Sequence, residues 1–372
     1  MNDKSWRINR RDFLKKSLAG VGSLLILPKN LHINPLQKEW PVGEHLGRNV
    51  VYQPNTLAIR SAPDENASVI RVLTEDECVT WNREVIGKAP RFSPSKKWLE
   101  TEEGYIFSPS LQRVKYLPNQ PLTELPIFNG EQGMWCEVTV PYVNLELANP
   151  PARSPWVIEA PQNLWRLYYS QVVWVDEIIT NSDGQQRYRI IEKYGSYGDI
   201  FWADATAFRP ISEEEVSPIH PEVGDKKIRV NINSQTLSCF EGDREVYFCQ
   251  IASGKKNDVF GNPDDALKTP TGEHFIYRKS ISFHMSGGAS GAGWDTMAIP
   301  WTSLFTGSGV AIHSTHWHND FGTPKSHGCV NTTAEDAKWI FRWTTPLVSY
   351  FPGDLTINTF EGTKIEVIEP LY

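Results

Sequence analysis

The segment 310–331 contains a cysteine and a histidine at a spacing that suits nucleophilic catalysis. An apolar run leads to His313, and 16 residues later the chain reaches Cys329, directly behind His327 and Gly328. A free thiol has a pKa of ~8.5, so at neutral pH it needs a neighbouring base before it can attack a carbonyl. We therefore predict that Cys329 is a nucleophile and that His313 is its general base.

Backbone N–H groups beside a nucleophile can stabilise the oxyanion of a tetrahedral intermediate. Gly328 has no side chain that would block such an approach, so the N–H groups of Gly328 and Cys329 are the candidate donors. Further along, Thr332-Thr-Ala-Glu335 has the pattern of a capping box and predicts that a helix begins there. Such a helix start would brace the turn that carries the cysteine.

The same segment resembles the signature of the L,D-transpeptidase (YkuD-like) catalytic domain: it reads Ile312-His313-Ser314 and then Ser326-His327-Gly328-Cys329-Val330-Asn331. Supporting patterns lie elsewhere within 224–368. They include Ser253-Gly254-Lys255, Thr269-Pro270-Thr271-Gly272 and Ile299-Pro300-Trp301. The resemblance implies a β-rich catalytic domain that works without a metal or organic cofactor.

The resemblance also implies a reaction on peptidoglycan stem peptides. Cys329 would attack the carbonyl of the third stem residue, release the terminal D-Ala and hold a thioester, which a neighbouring stem amine resolves into a 3→3 cross-link. Ser314 would orient His313 through its backbone carbonyl. The run 286–293 departs from any fixed motif, and its glycines predict a mobile lid. The residues expected to bind substrate or to shape the nucleophile's loop are Ser326, His327, Asn331, Trp301, Thr271 and Gly272.

The rest of the chain predicts a mainly β protein. Short β-rich runs broken by Gly, Pro, Asn and Asp fill residues 49–210, and a weak repeat divides them into two small barrels. The opening of 49–118 resembles a bacterial SH3-like module, and 119–210 would be a second one. The predicted plan is an export signal at 1–30, a linker at 31–48, the two modules, a linker at 211–223, and the catalytic domain at 224–368, a β-sandwich or barrel with one short helix after the cysteine.

Residues 1–30 carry seven Lys or Arg against two acidic residues. Arg10-Arg11 and the Phe-Leu-Lys that follows resemble a twin-arginine signal, and the apolar run 17–27 is shorter than the ~20 residues of a membrane-spanning helix. We expect export to the periplasm, the cell wall or the outer face of the membrane. The signal segment could be removed or could remain as a membrane anchor.

Charge and cysteine content limit the partners. The formal net charge of the chain is −7, so the residues after the signal carry a strong negative excess without a basic stripe, which argues against nucleic acid as a partner. Protein partners are not indicated. Of five cysteines, Cys239 and Cys249 flank a predicted hairpin turn at 241–244, where either a disulfide or two unlinked thiols would fit.

Three other functions compete with cross-linking. An L,D-carboxypeptidase would use the same cysteine and histidine with water as acceptor. A wall-binding adaptor would use the β modules and no catalysis. A zinc site could be built from His313, His316, His318 and Asp320, with the cysteine nearby.

Overall fold

The structure is a computed structural model that describes residues 40–51, 57–91, 93–258, 260–287 and 294–370. Trp40–Tyr372 is a compact unit by itself. The predicted export signal, 1–30, and the first part of the predicted linker, 31–39, lie outside the described residues. Strands dominate the described chain, so the prediction of a mainly β protein is confirmed.

The first part of the unit contains eight strands. They are β1 (Gly43–Asn49), β2 (Ala58–Arg60), β3 (Val69–Val72), β4 (Cys78–Thr80), β5 (Arg83–Ile86), β6 (Lys97–Glu100), β7 (Tyr105–Phe107) and β8 (Leu111–Tyr116). One sheet has the order β4-β1-β8 and the other β3-β2-β7-β6-β5. β1 lies largely within the predicted linker 31–48, which is a correction: the glycines at 43 and 47 obscure the strand pattern, yet Leu46 is buried and pairs with both neighbouring strands.

The middle part contains ten strands and one short helix. They are β9 (Ile127–Phe128), β10 (Glu131–Gln132), β11 (Met134–Val138), β12 (Tyr142–Asn144), β13 (Glu146–Leu147), α1 (Pro155–Glu159), β14 (Arg166–Tyr168), β15 (Val172–Thr180), β16 (Gln186–Ile191), β17 (Ile200–Asp204) and β18 (Phe208–Pro210). The main sheet has the order β13-β17-β16-β15-β11-β18. The runs β5-β6-β7 and β15-β16-β17 are both antiparallel meanders, while the SH3-like character of the two modules stays a prediction.

The last part contains ten strands and one helix. They are β19 (Lys226–Asn231), β20 (Thr236–Glu241), β21 (Arg244–Gln250), β22 (Gly272–Phe275), β23 (Arg278–Gly287), β24 (Trp294–Leu304), β25 (Ala311–Ser314), β26 (Val330–Thr332), α2 (Ala334–Trp343), β27 (Asp354–Thr356) and β28 (Lys364–Ile368). The two sheets have the orders β21-β20-β19-β28-β22 and β26-β25-β24-β23-β27. Alternating apolar residues of β19 and β20 pack with β25, β26 and α2 in one shared core.

The hairpin of β20 and β21 confirms the predicted turn. Gly242 and Asp243 form its two-residue loop, and Glu241 pairs with Arg244. The same register pairs Cys239 with Tyr247 and Cys249 with Leu237, so the two cysteines are not direct cross-strand partners. Both are buried free thiols.

Helix α2 follows the predicted nucleophile, but its cap lies one residue later than predicted. Thr333 is the N-cap and its hydroxyl accepts from the N–H of Asp336 at 3.2 Å. Thr332, the predicted cap, is instead the last residue of β26 and is buried there. The cap therefore joins the helix directly to the strand behind the cysteine.

Two lysines satisfy carbonyls at the other end of α2. The Lys279 ammonium, from β23, donates to the carbonyls of Phe341 and, at 2.6 Å, Thr344. Lys226 donates to the carbonyl of Trp343 at 2.9 Å. The last carbonyls of a helix lack N–H partners within it, so the two lysines supply donors there, although burial and the nearby Lys226 lower the pKa of Lys279 well below its usual value. Among the described residues, neither helix has the length and apolar character needed to cross a membrane.

We expect Lys279→Met to lower the free energy of unfolding by about 1–3 kcal/mol, because two buried carbonyls lose their donor. The measurement is urea unfolding at pH 7. Lys364→Met is the control, since Lys364 makes a surface ion pair with Glu273 and its loss should change the free energy by less than about 0.5 kcal/mol. Wild-type stability of Lys279→Met would show that the carbonyls do not depend on the lysine.

Candidate active site

The parallel pairing of β25 and β26 brings the predicted base and nucleophile together. Its register sets His313 beside Asn331, and Cys329 is the residue immediately before β26. Buried Ile312 and Val330, which pair across the same two strands, anchor the arrangement in the core. His313 and Cys329 are thus the chain neighbours of two buried apolar residues that pair with each other.

Two neighbouring cavities reach Cys329. One, of about 380 Å³, is also lined by His313, Trp317 and Asn331. The other, of about 1000 Å³, extends from Cys329 beneath the β23–β24 hairpin past Met285. The predicted lid, 286–293, belongs to this hairpin. Its residues 288–293 lie outside the described residues.

The imidazole of His313 is buried and held in one tautomer. Its Nδ1–H donates to the carbonyl of Ser314 at 2.7 Å, which leaves the lone pair on Nε2. Burial lowers the pKa of His313 to about 4. The ring is therefore neutral at neutral pH, with Nε2 able to accept a proton.

A chain of hydrogen bonds continues from Nε2. The Asn331 amide nitrogen donates to His313 Nε2 at 3.1 Å, and the amide oxygen accepts from His318 Nε2 at 3.1 Å. On the far side, His318 Nδ1 accepts from the N–H of Asp320 at 3.3 Å. Because each donor faces an acceptor, the network fixes the orientation of the Asn331 amide and both tautomers.

The thiol of Cys329 is neutral in this setting. Burial raises its pKa to about 11, although a backbone hydrogen bond from Ala311 acts in the opposite direction. The sulfur lies 4.0 Å from the carbonyl oxygen of Gly309. A nucleophilic attack by this neutral thiol would therefore require transfer of its proton to a base.

Ser326 closes the turn that precedes the nucleophile. Its hydroxyl donates to the carbonyl of Cys329 at 2.5 Å and accepts from the N–H of Gly328 at 3.1 Å. Gly328 has φ +119°, a conformation that side chains disfavour. The Gly328 N–H, one of the two predicted oxyanion donors, is thus engaged within the loop.

Thr269 supports the same turn and was missed by the sequence analysis. Its hydroxyl donates to the carbonyl of Gly328 at 2.7 Å and accepts from the N–H of Gly254 at 2.8 Å. A Cβ on Gly254 would lie 2.2 Å from the carbonyl oxygen of Leu267, so only glycine fits. The presence of Thr269 in the Thr-Pro-Thr-Gly pattern was the available signal.

Three of the predicted substrate or loop residues lie elsewhere. Trp301 is 1% exposed and packs edge-on against Phe341 in the core. Thr271 and Gly272 are exposed at the start of β22. None of the three lines either cavity at Cys329. His327 does, and its ring stacks with that of Trp294 at 6.3 Å between centroids.

The β23–β24 hairpin is tied to the middle sheet by His284. Its ring is buried between the carboxylates of Glu192, 2.8 Å from Nδ1, and Asp295. Burial disfavours the charged ring, but the two carboxylates outweigh this and raise the pKa of His284. This cluster holds the hairpin near its turn end, where Met285, Ser286 and Trp294 line the larger cavity.

The histidines of the alternative zinc site are engaged in other contacts. His316 stacks on Tyr168 at 5.0 Å between ring centroids, while His313 and His318 share Asn331. Across the part of the chain that the structure describes, no three or more His, Cys, Asp or Glu side chains form a group able to hold a metal ion.

The buried imidazoles predict loss of stability in acid. Burial lowers the pKa of His318 to about 4, as for His313. Above about pH 6.5 each imidazole is neutral in both the folded and the unfolded chain. Between the unfolded pKa of ~6.5 and the folded pKa of about 4, the unfolded chain binds more protons, so the free energy of unfolding decreases as the pH falls. From pH 7 to pH 5, each such ring should cost about 2 kcal/mol of unfolding free energy.

His318→Gln keeps a donor for Asn331 but cannot titrate, so its unfolding free energy should fall less than that of the wild type between these pH values. Urea unfolding at pH 7 and pH 5 measures the difference, and His45→Gln, at an exposed ring, is the control. An equal pH dependence in His318→Gln and wild type would contradict the buried neutral imidazole.

Known proteins with similar sequence or structure are L,D-transpeptidases. The catalytic domain of the Enterococcus faecium L,D-transpeptidase is 21% identical, with 39% of this chain and 97% of that one covered and a TM-score of 0.29. The L,D-transpeptidase from Mycobacterium smegmatis is 15% identical, with 49% of this chain and 90% of that one covered and a TM-score of 0.30.

In sequence, the chain is 26% identical over 134 residues to "Putative L,D-transpeptidase YciB" of Bacillus subtilis strain 168, which covers 33% of this chain. The chain spans 63% of the length of that curated relative. The family model of the YkuD L,D-transpeptidase catalytic domain matches residues 225–367, which include both Cys329 and His313. Residues 225–367 are therefore a YkuD L,D-transpeptidase catalytic domain.

Proposed function

We propose that this protein is a peptidoglycan L,D-transpeptidase that forms 3→3 cross-links through a thioester on Cys329. The proposal rests on one observation: Cys329 and a neutral, oriented His313 line the same cavity, where β25 pairs with β26. The family match supports it, since the matched residues include both groups.

In the first half-reaction, Cys329 Sγ bonds to the carbonyl carbon of the third stem residue while its proton passes to His313 Nε2. The hydrogen bond from the Asn331 amide to His313 Nε2 must weaken or break for this transfer to occur. As the tetrahedral intermediate collapses, the C–N bond to the terminal D-Ala breaks and His313 returns the proton to the leaving amine. A thioester and free D-Ala result.

In the second half-reaction, the side-chain amine of a neighbouring stem attacks the thioester. His313 accepts a proton from this amine and, as the C–S bond breaks, passes it to Cys329 Sγ, which restores the thiol. The two cavities that meet at Cys329 offer separate approaches for a donor and an acceptor strand. With water in place of the amine, the same steps would make an L,D-carboxypeptidase.

The residues around the cysteine have proposed supporting roles. Ser314 orients His313, and Ser326, Gly328 and Asn331 shape the turn and the hydrogen-bond network. The Cys329 N–H is the proposed oxyanion donor, because the Gly328 N–H is already bonded to Ser326. Lys255 lines the smaller cavity and is the proposed positive charge for a stem carboxylate, while Lys325 on the same cavity is paired with Asp320 at 2.8 Å.

We further propose an extracytoplasmic location, because peptidoglycan stems lie outside the cytoplasm. Export by the twin-arginine pathway and membrane anchoring concern residues 1–30, outside the described residues. They remain hypotheses from the sequence. The SH3-like modules as wall binders are likewise a hypothesis.

The decisive experiment incubates the purified protein with a disaccharide-tetrapeptide and analyses the products by mass spectrometry. The wild type should give a dimer that lacks one D-Ala, and Cys329→Ala should give none. Cys136→Ala is the matched control, since that thiol is buried in the core of the middle part. A tripeptide alone would assign the carboxypeptidase activity, and wall binding without turnover by folded protein would favour the adaptor.

The pH dependence of acylation tests His313 as the base. With a pKa of about 4, His313 is deprotonated across the neutral range, so the single-turnover acylation rate should stay level down to about pH 5 and fall as the pH drops through about 4. Quenched-flow mass spectrometry of the acyl-enzyme measures the rate. A fall of the acylation rate as the pH drops through about 6.5 would instead indicate a solvent-exposed imidazole with the usual pKa.

A further inference from the structure

A buried arginine far upstream of the catalytic residues contacts the catalytic loop. Arg48, on β1, has a side chain that is 0% exposed, and its Nη2 donates at 2.6 Å to the carbonyl oxygen of His316. Burying a guanidinium is costly unless its charge is paired and its donors are used. The partners of Arg48 therefore indicate what this residue is positioned to hold.

The other partners of Arg48 come from the first part of the unit. Its Nε and Nη2 donate to the side-chain oxygen of Gln112 at 3.1 and 2.8 Å, and its Nη1 pairs with the carboxylate of Asp76. Asp76 is itself 1% exposed at its side chain. The planar fork thus joins three acceptors from separate segments, which a lysine ammonium cannot reproduce in the same geometry.

The middle part completes the cluster. Arg166 donates to the second oxygen of Asp76 at 2.6 Å, and the Tyr168 hydroxyl donates to it at 3.3 Å. The Tyr168 ring lies 4.0 Å from the Arg48 guanidinium and stacks on the ring of His316. His316 is thus held by its carbonyl and by its ring. Burial and the nearby Arg48 lower the pKa of His316 well below its usual value.

His316 lies midway between the two loop residues that orient the catalytic base. Ser314 accepts from His313 Nδ1, and His318 donates to the Asn331 amide that faces His313 Nε2. A shift of the peptide at His316 would move both of these contacts. We propose that Arg48 is a positioning residue for the reaction, acting through the His316 carbonyl on the orientation of His313.

This inference rests on the proposed function, in which His313 is the general base, and it gives the upstream strands a part in catalysis. The test uses the full chain with Arg48→Lys, which keeps the charge and loses the fork. For stem-peptide turnover, kcat should fall about tenfold or more while KM changes less than about twofold, because the loss concerns positioning of the base rather than substrate binding.

Two further readouts need no substrate. The His313 Nδ1–H, bonded to Ser314, should give a downfield proton NMR signal that shifts or broadens in Arg48→Lys. The rate at which iodoacetamide alkylates Cys329, followed by peptide mass spectrometry, should also fall. Arg83→Ala is the matched control: this exposed arginine pairs with Glu100 in the same part of the unit and should leave all three readouts unchanged.

Far-ultraviolet circular dichroism and urea unfolding establish that each variant is folded. A folded Arg48→Lys with wild-type kcat and an unchanged His313 signal would overturn the proposal. If Arg48→Lys does not fold, Arg48→Gln decides in the same way, since its shorter side chain removes the donor to the His316 carbonyl while Arg166 still pairs with Asp76. If the wild type turns over no stem peptide, the proposed function fails, and the NMR and alkylation readouts still judge the role of Arg48.

Discussion

The site depends on one short parallel pairing, that of β25 with β26. Four residues on one side and three on the other set His313 beside Asn331 and deliver Cys329 to the same cavity. So short a pair of strands cannot by itself fix the loop between them, 315–329. Contacts from other segments hold this loop. The backbone of Asn331 bonds to that of Ala252, and Thr269 fixes the turn at Gly328. The nucleophile's geometry is therefore a property of several distant segments.

Burial determines the electrostatics of the pair. It lowers the pKa of His313 to about 4 and raises that of Cys329 to about 11, so both groups rest in their neutral forms. Burial penalises a resting thiolate–imidazolium pair more than the backbone hydrogen bonds of the two groups favour it. In the proposed reaction, the thiol must therefore give up its proton as it attacks. The imidazole, which Ser314 and Asn331 orient, keeps its lone pair available over a wide pH range.

Residues with specific chemistry were predictable from sequence, and residues that act through long-range contacts were not. His313 and Cys329 stand in a local pattern whose chemistry few other functions require, and the β20–β21 turn follows from its own four residues. The cap of α2 was placed one residue early because only the sheet shows that Thr332 belongs to β26. The motif of Trp301 predicts a residue that binds substrate or shapes the nucleophile's loop, yet its large apolar side chain is buried in the core. No local pattern connects Arg48 with a carbonyl 268 residues away.

The distribution of contacts also bears on how the chain is divided. The residues that match the family model, 225–367, contain Cys329, His313 and the loop between them. Yet the carbonyl of His316 finds its buried donor on β1, and its ring finds its stacking partner on β14. A buried acceptor that loses a charged donor costs free energy, and the loop would relax towards solvent to recover it. The proposed catalytic pair thus lies in one segment, while the contacts that hold the loop between its two members come partly from strands that precede it.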